Sequence, residues 1–109
     1  MKALISKLIA FRDDRDWKQF HDPKNLALAL GIEASELNEL FLWKKETDLE
    51  TVDQEKVAEE LADAMIYALL LCEHYGFDPQ TIIAAKIATN GKKYPVEKAR
   101  GRADKYDQL

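Results

Sequence analysis

The sequence predicts an all-α bundle of four helices, and three observations carry that prediction. Apolar residues recur at helical spacing in four separate segments. Two Asp-Pro pairs, Asp22-Pro23 and Asp78-Pro79, stand where helices would begin, because Asp caps a first turn and Pro suits it. Only 3 prolines and 4 glycines occur in 109 residues, too few turn formers for a fold of many short strands.

The first helix is expected over roughly Lys2 to Asp14, with Leu4, Ile5, Leu8, Ile9 and Phe11 as its apolar positions. A polar connector, RDWKQFHDPKN, leads into a second helix from about Lys24 to Trp43 or Lys44. After the charged linker KKETDLETV, Asp53 is placed to cap a third helix that stops at Gly76. The fourth opens at Asp78-Pro79 and is expected to close at Asn90-Gly91. On this reading residues 1–95 form one domain, and residues 96–109 are a charged tail expected to fray.

Composition narrows the function classes. The 47% apolar and 33% charged content is that of an ordinary globular domain. A net charge of -4 argues against general binding to nucleic acid, whose affinity is built on phosphate neutralisation. The longest apolar run, AMIYALLLC, is far shorter than the roughly 20 residues of a membrane span, so no membrane association is expected. MKALISKLIAFRDD is amphipathic and lacks a small-residue cleavage site, unlike a secretory signal. The single Cys72 excludes an intrachain disulfide and suits a reducing cytoplasm; within its apolar run it reads as a structural thiol. From Val57 to Tyr75 apolar residues cover almost the whole helix circumference. Four short helices can hardly enclose such a helix, so burial against a second copy, most simply in a two-fold dimer, is expected.

The stretch GIEASELNELFLW holds a glutamate where an apolar residue belongs. At about 100° per residue, Leu26, Leu30, Leu37, Leu40 and Phe41 share one arc, and Glu33 falls inside it. Glu36 lies at its edge and Glu39 points away. A buried ionised carboxylate costs several kcal/mol unless something positive compensates it. In the third helix EELAD repeats the anomaly, with Glu60 and Asp63 one turn apart among Leu70, Leu71, Ala64 and Tyr67. Glu39, Glu55, Glu59 and Glu73 read as exposed-face acids.

Short connections favour antiparallel neighbours, so the two acid pairs are expected to face each other. Four neighbouring carboxylates cannot all ionise without a cation, and oxygen-only ligands suit Mg²⁺ or Mn²⁺. A di-iron bundle would add Glu-x-x-His pairs, but Lys18 and Leu71 stand three residues before His21 and His74. The alternative for any acid pair at this spacing is a solvated surface.

The arrangement Glu33-Ala-Ser-Glu36, a spacer, then Glu60-Leu-Ala-Asp63 resembles the metal-binding signature of the MazG-like nucleoside triphosphate pyrophosphohydrolases. RDWKQFHDPKNL, GIEASELNELFLWK, EELADAMIY and KIATNGKKYP are similar, in order and spacing, to the dCTP pyrophosphatase branch of that family. The resemblance spans about Phe11 to Pro95. It implies a four-helix chain that dimerises, often as a dimer of dimers (a homotetramer), and hydrolyses a nucleoside triphosphate to the monophosphate and pyrophosphate with Mg²⁺. It implies that Glu33, Glu36, Glu60 and Asp63 hold the metal. Trp17, His21, Trp43 and Tyr67 match positions around the nucleotide, and Lys86 and Asn90 match polar contacts from the fourth helix. One departure is Leu8, which stands where some relatives have a histidine.

The residues themselves are compatible with that chemistry. A divalent cation bridges phosphates and activates water. Glu36, at the rim of the stripe, is the candidate to take the water's proton, with Glu33 beside it. Lys86, Lys92, Lys93, Lys44 and Lys45 are candidate counter-charges for phosphate. Trp17 and Trp43 can stack on a base, although Trp43 is equally readable as a helix-end core anchor. His21 and Asn90 alone read as a capping or surface histidine and a helix stop. The favoured substrate is dCTP or a modified dCTP, in a role of clearing unwanted nucleotides. The rivals are dUTP or a broad nucleotide range, and a helical dimerisation module whose acids bind a structural cation.

Overall fold

In a computed structural model that describes all 109 residues, the chain is helical throughout, without strands. It forms two compact units, Met1–Gly76 and Phe77–Leu109. The first holds α1 (Lys2–Asp14), α2 (Pro23–Glu39) and α3 (Gln54–Tyr75); the second holds α4 (Pro79–Lys93) and a short α5 (Val96–Ala99). Short 3-10 helices occupy Lys18–Phe20, Glu46–Thr51 and Tyr106–Gln108.

The three expected aspartate caps are all present. Asp22 Oδ1 accepts the Asn25 amide at 2.7 Å, Asp53 Oδ1 that of Glu55 at 3.0 Å, and Asp78 Oδ2 that of Thr81 at 3.1 Å. Each satisfies a donor that the first helical turn leaves without a partner. Gly76 ends α3 with φ 71°, a left-handed conformation open to glycine at little cost.

Two helix ends differ from expectation. The second helix stops at Glu39, not at Trp43 or Lys44: residues 40–43 form i+3 turns, and Trp43 itself sits at φ 64°. A bulky residue in that region cannot continue a right-handed helix. The fourth helix passes through Asn90-Gly91 and ends at Lys93. Gly91 keeps a negative φ, and the stop comes instead from Pro95, which forces the preceding Tyr94 out of the helical region (φ -123°, ψ 68°). Residues 96–109, expected to fray, contain α5 and the last 3-10 turn. Tyr106 there meets the Tyr94 ring edge-on at 6.2 Å, with Lys93 Nζ 4.9 Å from its own ring centre.

Within the first unit α2 lies along α3, and α1 touches α3 more sparingly. His21 meets Tyr67, Glu36 neighbours Glu60, and Phe41 shares a groove with Val57. Rising numbers before and along α2 pair with falling numbers on α3, so the two helices are antiparallel, as their short linker implied. Leu26, Leu70 and Val52 are buried, and so is one charged residue, Arg12, at 4% exposure. Leu4, Phe11, Leu61, Met65 and Ile66 stay exposed. A groove of about 450 Å³ runs between α1 and α3, lined by Leu4, Leu8, Phe11, Met65, Ile66 and Leu69 among others. No helix is long and apolar enough to cross a membrane.

Candidate metal centre and base slot

Antiparallel packing of α2 on α3 turns two local spacings into one site. Glu33 and Glu36, one turn apart on α2, meet Glu60 on α3, and all three side chains are half-buried. Their carboxylates offer oxygens that lie within 4.8 Å of one another. Asp63 is exposed and stands outside this trio, yet near enough for its charge to act on both Glu33 and Glu60.

The electrostatics show what crowding does. Burial pushes the Glu33 carboxyl up to about 7, helped by a hydrogen bond with Glu36 and by the charges of Glu36, Asp63 and Glu60. Glu60 is also raised, first through a hydrogen bond with Glu36, then through desolvation and neighbouring charge. None of the chain's ion pairs reaches the trio. Glu33 Oε2 and Glu60 Oε2 are buried without any hydrogen-bond partner. Buried acceptors in this state cost free energy, and crowded carboxylates must take up protons or a cation. An all-oxygen, multiply anionic donor set with orphaned acceptors fits a hard divalent cation.

The aromatic candidates divide. His21 and Tyr67 form one wall, ring centroids 6.3 Å apart and edge to face, with His21 Nδ1 buried and unpartnered. Burial, and then the charge of Arg12, lowers the His21 pKa, so its imidazole is neutral at pH 7. Trp17 packs edge-on against Phe11 at 5.8 Å and remains 43% exposed. Trp43 is 90% exposed, which removes the core-anchor reading within this chain. Lys86, Asn90 and Lys93 are exposed on α4, in the second unit.

Trp17 owes its place to the way α1 ends. Asp16 takes φ 53°, the Trp17 amide donates to the Arg12 carbonyl at 3.1 Å, and the Asp16 amide donates to that of Asp13 at 3.0 Å. This is the Schellman arrangement, and the Phe11–Trp17 contact is its usual hydrophobic companion.

Sequence reasoning missed the other buried charge. Arg12 Nη1 donates to Glu73 Oε2 at 2.9 Å, and Nε donates to Asp13 Oδ1 at 2.9 Å. Glu73, read as an exposed-face acid, is half-buried because Arg12 covers it. The signal was present: Arg12 continues the Ile5, Leu8, Ile9 stripe just as Glu33 interrupts its own.

Residues 28–109 match the model of the MazG-like family. The chain belongs to the MazG-like family. This MazG-like chain is 40% identical over 104 residues to a mouse (Mus musculus) protein named dCTP pyrophosphatase 1, covering 91% of this chain and 61% of that one. It is 42% identical over 106 residues to the human (Homo sapiens) protein of the same name, with the same two coverages. The chain therefore spans about three fifths of the length of these curated relatives. The crystal structure of a pyrophosphatase from Archaeoglobus fulgidus superposes with a TM-score of 0.82 at 39% identity, covering 87% of this MazG-like chain and 92% of that one. The family expected from the two acid pairs and the segments around them is thus the one found.

Proposed function

We propose that this chain is a divalent-metal-dependent nucleoside triphosphate pyrophosphohydrolase, converting dCTP or a base-modified dCTP to the monophosphate and pyrophosphate. The observation that carries the reading is the trio Glu33, Glu36 and Glu60, crowded together with orphaned buried oxygens on Glu33 and Glu60 whose carboxyls are both raised, a donor set that calls for a hard cation. The names of the mouse and human relatives support dCTP as the substrate.

Glu33, Glu36 and Glu60 would hold Mg²⁺, with Mn²⁺ as the alternative and Asp63 completing the set. Bound there, the cation would neutralise phosphate charge and acidify water. Glu36, which neighbours both Glu33 and Glu60, takes the proton of the attacking water. Trp17, His21, Trp43 and Tyr67 receive the base, through aromatic faces that stack on it and through the neutral His21 imidazole. Polar contacts of Lys86 and Asn90 with the substrate rest on the family resemblance, and Lys93 is a candidate counter-charge for phosphate. Leu4 and Phe11 on α1 and Leu61, Met65 and Ile66 on α3 are large apolar side chains left exposed, which supports a homodimer, with dimers pairing again. The setting is the cytoplasm and the role is removal of unwanted nucleotides.

The test is incubation with each common dNTP and NTP plus Mg²⁺, with a chelator control, products resolved by ion exchange. The expected products are monophosphate and pyrophosphate, greatest for dCTP and absent with chelator. Orthophosphate with a diphosphate would reject the proposed bond. Absence of turnover with both Mg²⁺ and Mn²⁺ would favour a dimerisation module with a structural cation. Glu60→Gln separates these readings: in the enzyme it abolishes turnover and leaves the oligomer intact.

A further inference from the structure

Arg12 stands apart from the acid trio but at the root of the base slot. Its side chain is fixed at both ends of the guanidinium, by Asp13 on its own helix and by Glu73 on α3, 61 residues away. Its backbone carbonyl accepts the Trp17 amide at 3.1 Å and that of Arg15 at 3.2 Å. One residue therefore ties the last turn of α1 to α3 and holds the first aromatic of the connector.

From Trp17 onward the connector has little freedom. The Phe20 amide donates to the Trp17 carbonyl at 2.9 Å and the His21 amide to the Lys18 carbonyl at 3.0 Å. Asn25 Nδ2 closes the far end on the Phe20 carbonyl at 3.1 Å, and Asp22 caps α2. A single 3-10 turn thus links the two aromatic candidates, anchored by Arg12 before it and by α2 after it.

Stability alone gives no reason for an arginine here. An apolar pair of similar volume in place of a buried ion pair is often neutral or stabilising, because two charges need not be desolvated. Directed hydrogen bonds, by contrast, set position and register. The charge of Arg12 also acts on His21, adding to the burial that lowers its pKa.

We propose that Arg12 is a positioning residue: through Glu73 it locks the end of α1 onto α3, and through its carbonyl it sets where Trp17 and His21 meet the nucleotide base. This rests on the pyrophosphohydrolase reading for its kinetic consequence, and on the fold alone for its effect on Trp17.

The test uses the full chain carrying Arg12→Met. KM for dCTP is expected to rise about tenfold with kcat changed less than about threefold, the signature of lost substrate positioning. The Mg²⁺ concentration for half-activation should not move, since Arg12 touches none of the acid trio. Arg12→Lys, which keeps the charge but not the two-pronged geometry, should fall between the two. Glu73→Gln keeps an acceptor, so it is the milder variant should Arg12→Met not fold, and its KM should shift the same way. A second readout needs no turnover. In a Trp43→Phe background, acrylamide quenching of Trp17 should rise about twofold on Arg12→Met as the turn loosens. Unchanged KM in both folded variants, a fall confined to kcat, or unchanged Trp17 quenching would each overturn the proposal. Were the wild-type chain to hydrolyse no nucleotide, the enzymatic reading would fail, and Trp17 quenching alone would decide whether Arg12 holds the connector.

Discussion

Charge is taken out of water at two places in the first unit, and the chain treats them in opposite ways. Arg12 is deeply buried but fully answered, with carboxylates from Asp13 and Glu73 at 2.9 Å. Glu33, Glu36 and Glu60 meet no positive charge, and two of their oxygens have no hydrogen-bond partner. A compensated buried charge orients its neighbours and is inert. An uncompensated cluster keeps free energy available for whatever cation or proton arrives. The difference separates scaffold from the proposed reaction centre.

The largest way to break the comparison is to remove one acid of the trio. Glu33→Gln should lower Mg²⁺-dependent hydrolysis by more than about a hundredfold, beyond what loss of an outer-shell partner typically costs. The same change should make the metal-free protein more stable at pH 8, because it removes a carboxylate that the fold disfavours when ionised. Pyrophosphate release and thermal melts in chelator check both halves; a lower melting temperature would sink the account of the cluster.

The ion pair should behave the other way. Arg12→Met leaves Glu73 partly buried without its partner and should cost about 2 kcal/mol, below the range for a fully buried pair because Glu73 still reaches water. Arg12→Met combined with Glu73→Leu should recover most of that loss. Urea unfolding at one fixed protein concentration measures the cycle, and additive losses would show that the two residues are not coupled.

The smallest effect is in pH, where the two regions differ in sign. The Glu33 carboxyl is raised from 4.5 to about 7, so the folded chain holds a proton that the unfolded chain releases. The Glu33 contribution to metal-free stability should therefore be fully present below the unfolded value and be lost as pH rises through about 7. Asp13 is lowered by its hydrogen bond with Arg12, so its contribution is present above its unfolded value near 3.8 and is lost on acidification through the folded one. Melting temperatures from pH 5 to 8 should fall by a few degrees in chelator and stay level with Mg²⁺. A fall of equal size in both would remove the link between cation and cluster.

Much of this was legible in the residues. The caps at Asp22, Asp53 and Asp78 and the left-handed stop at Gly76 are local chemistry, complete within four residues, and each stands where expected. Glu33 announced itself by interrupting an apolar stripe. Arg12 did the same on α1, but a single charge near a helix end also reads as solvated, and its partner was assigned to the wrong face. Asn90-Gly91 has the composition of a stop without the conformation of one, because a proline four residues further on already ends the helix. Trp43 looked equally like an anchor or a stacking surface until its 90% exposure removed the first.

The sequence by itself determined the four long helices, how three of them begin, which faces are apolar, and which carboxylates lack compensation nearby. These follow from backbone hydrogen bonding and helical periodicity, whose reach is about one turn. Only the tertiary structure decided which buried charges find an opposite charge. Pairing of Arg12 with Glu73, and the lack of any such partner for Glu33, Glu36 and Glu60, depend on which helix lies opposite and in what register. Long-range packing sets that register, and no periodicity within a single helix encodes it.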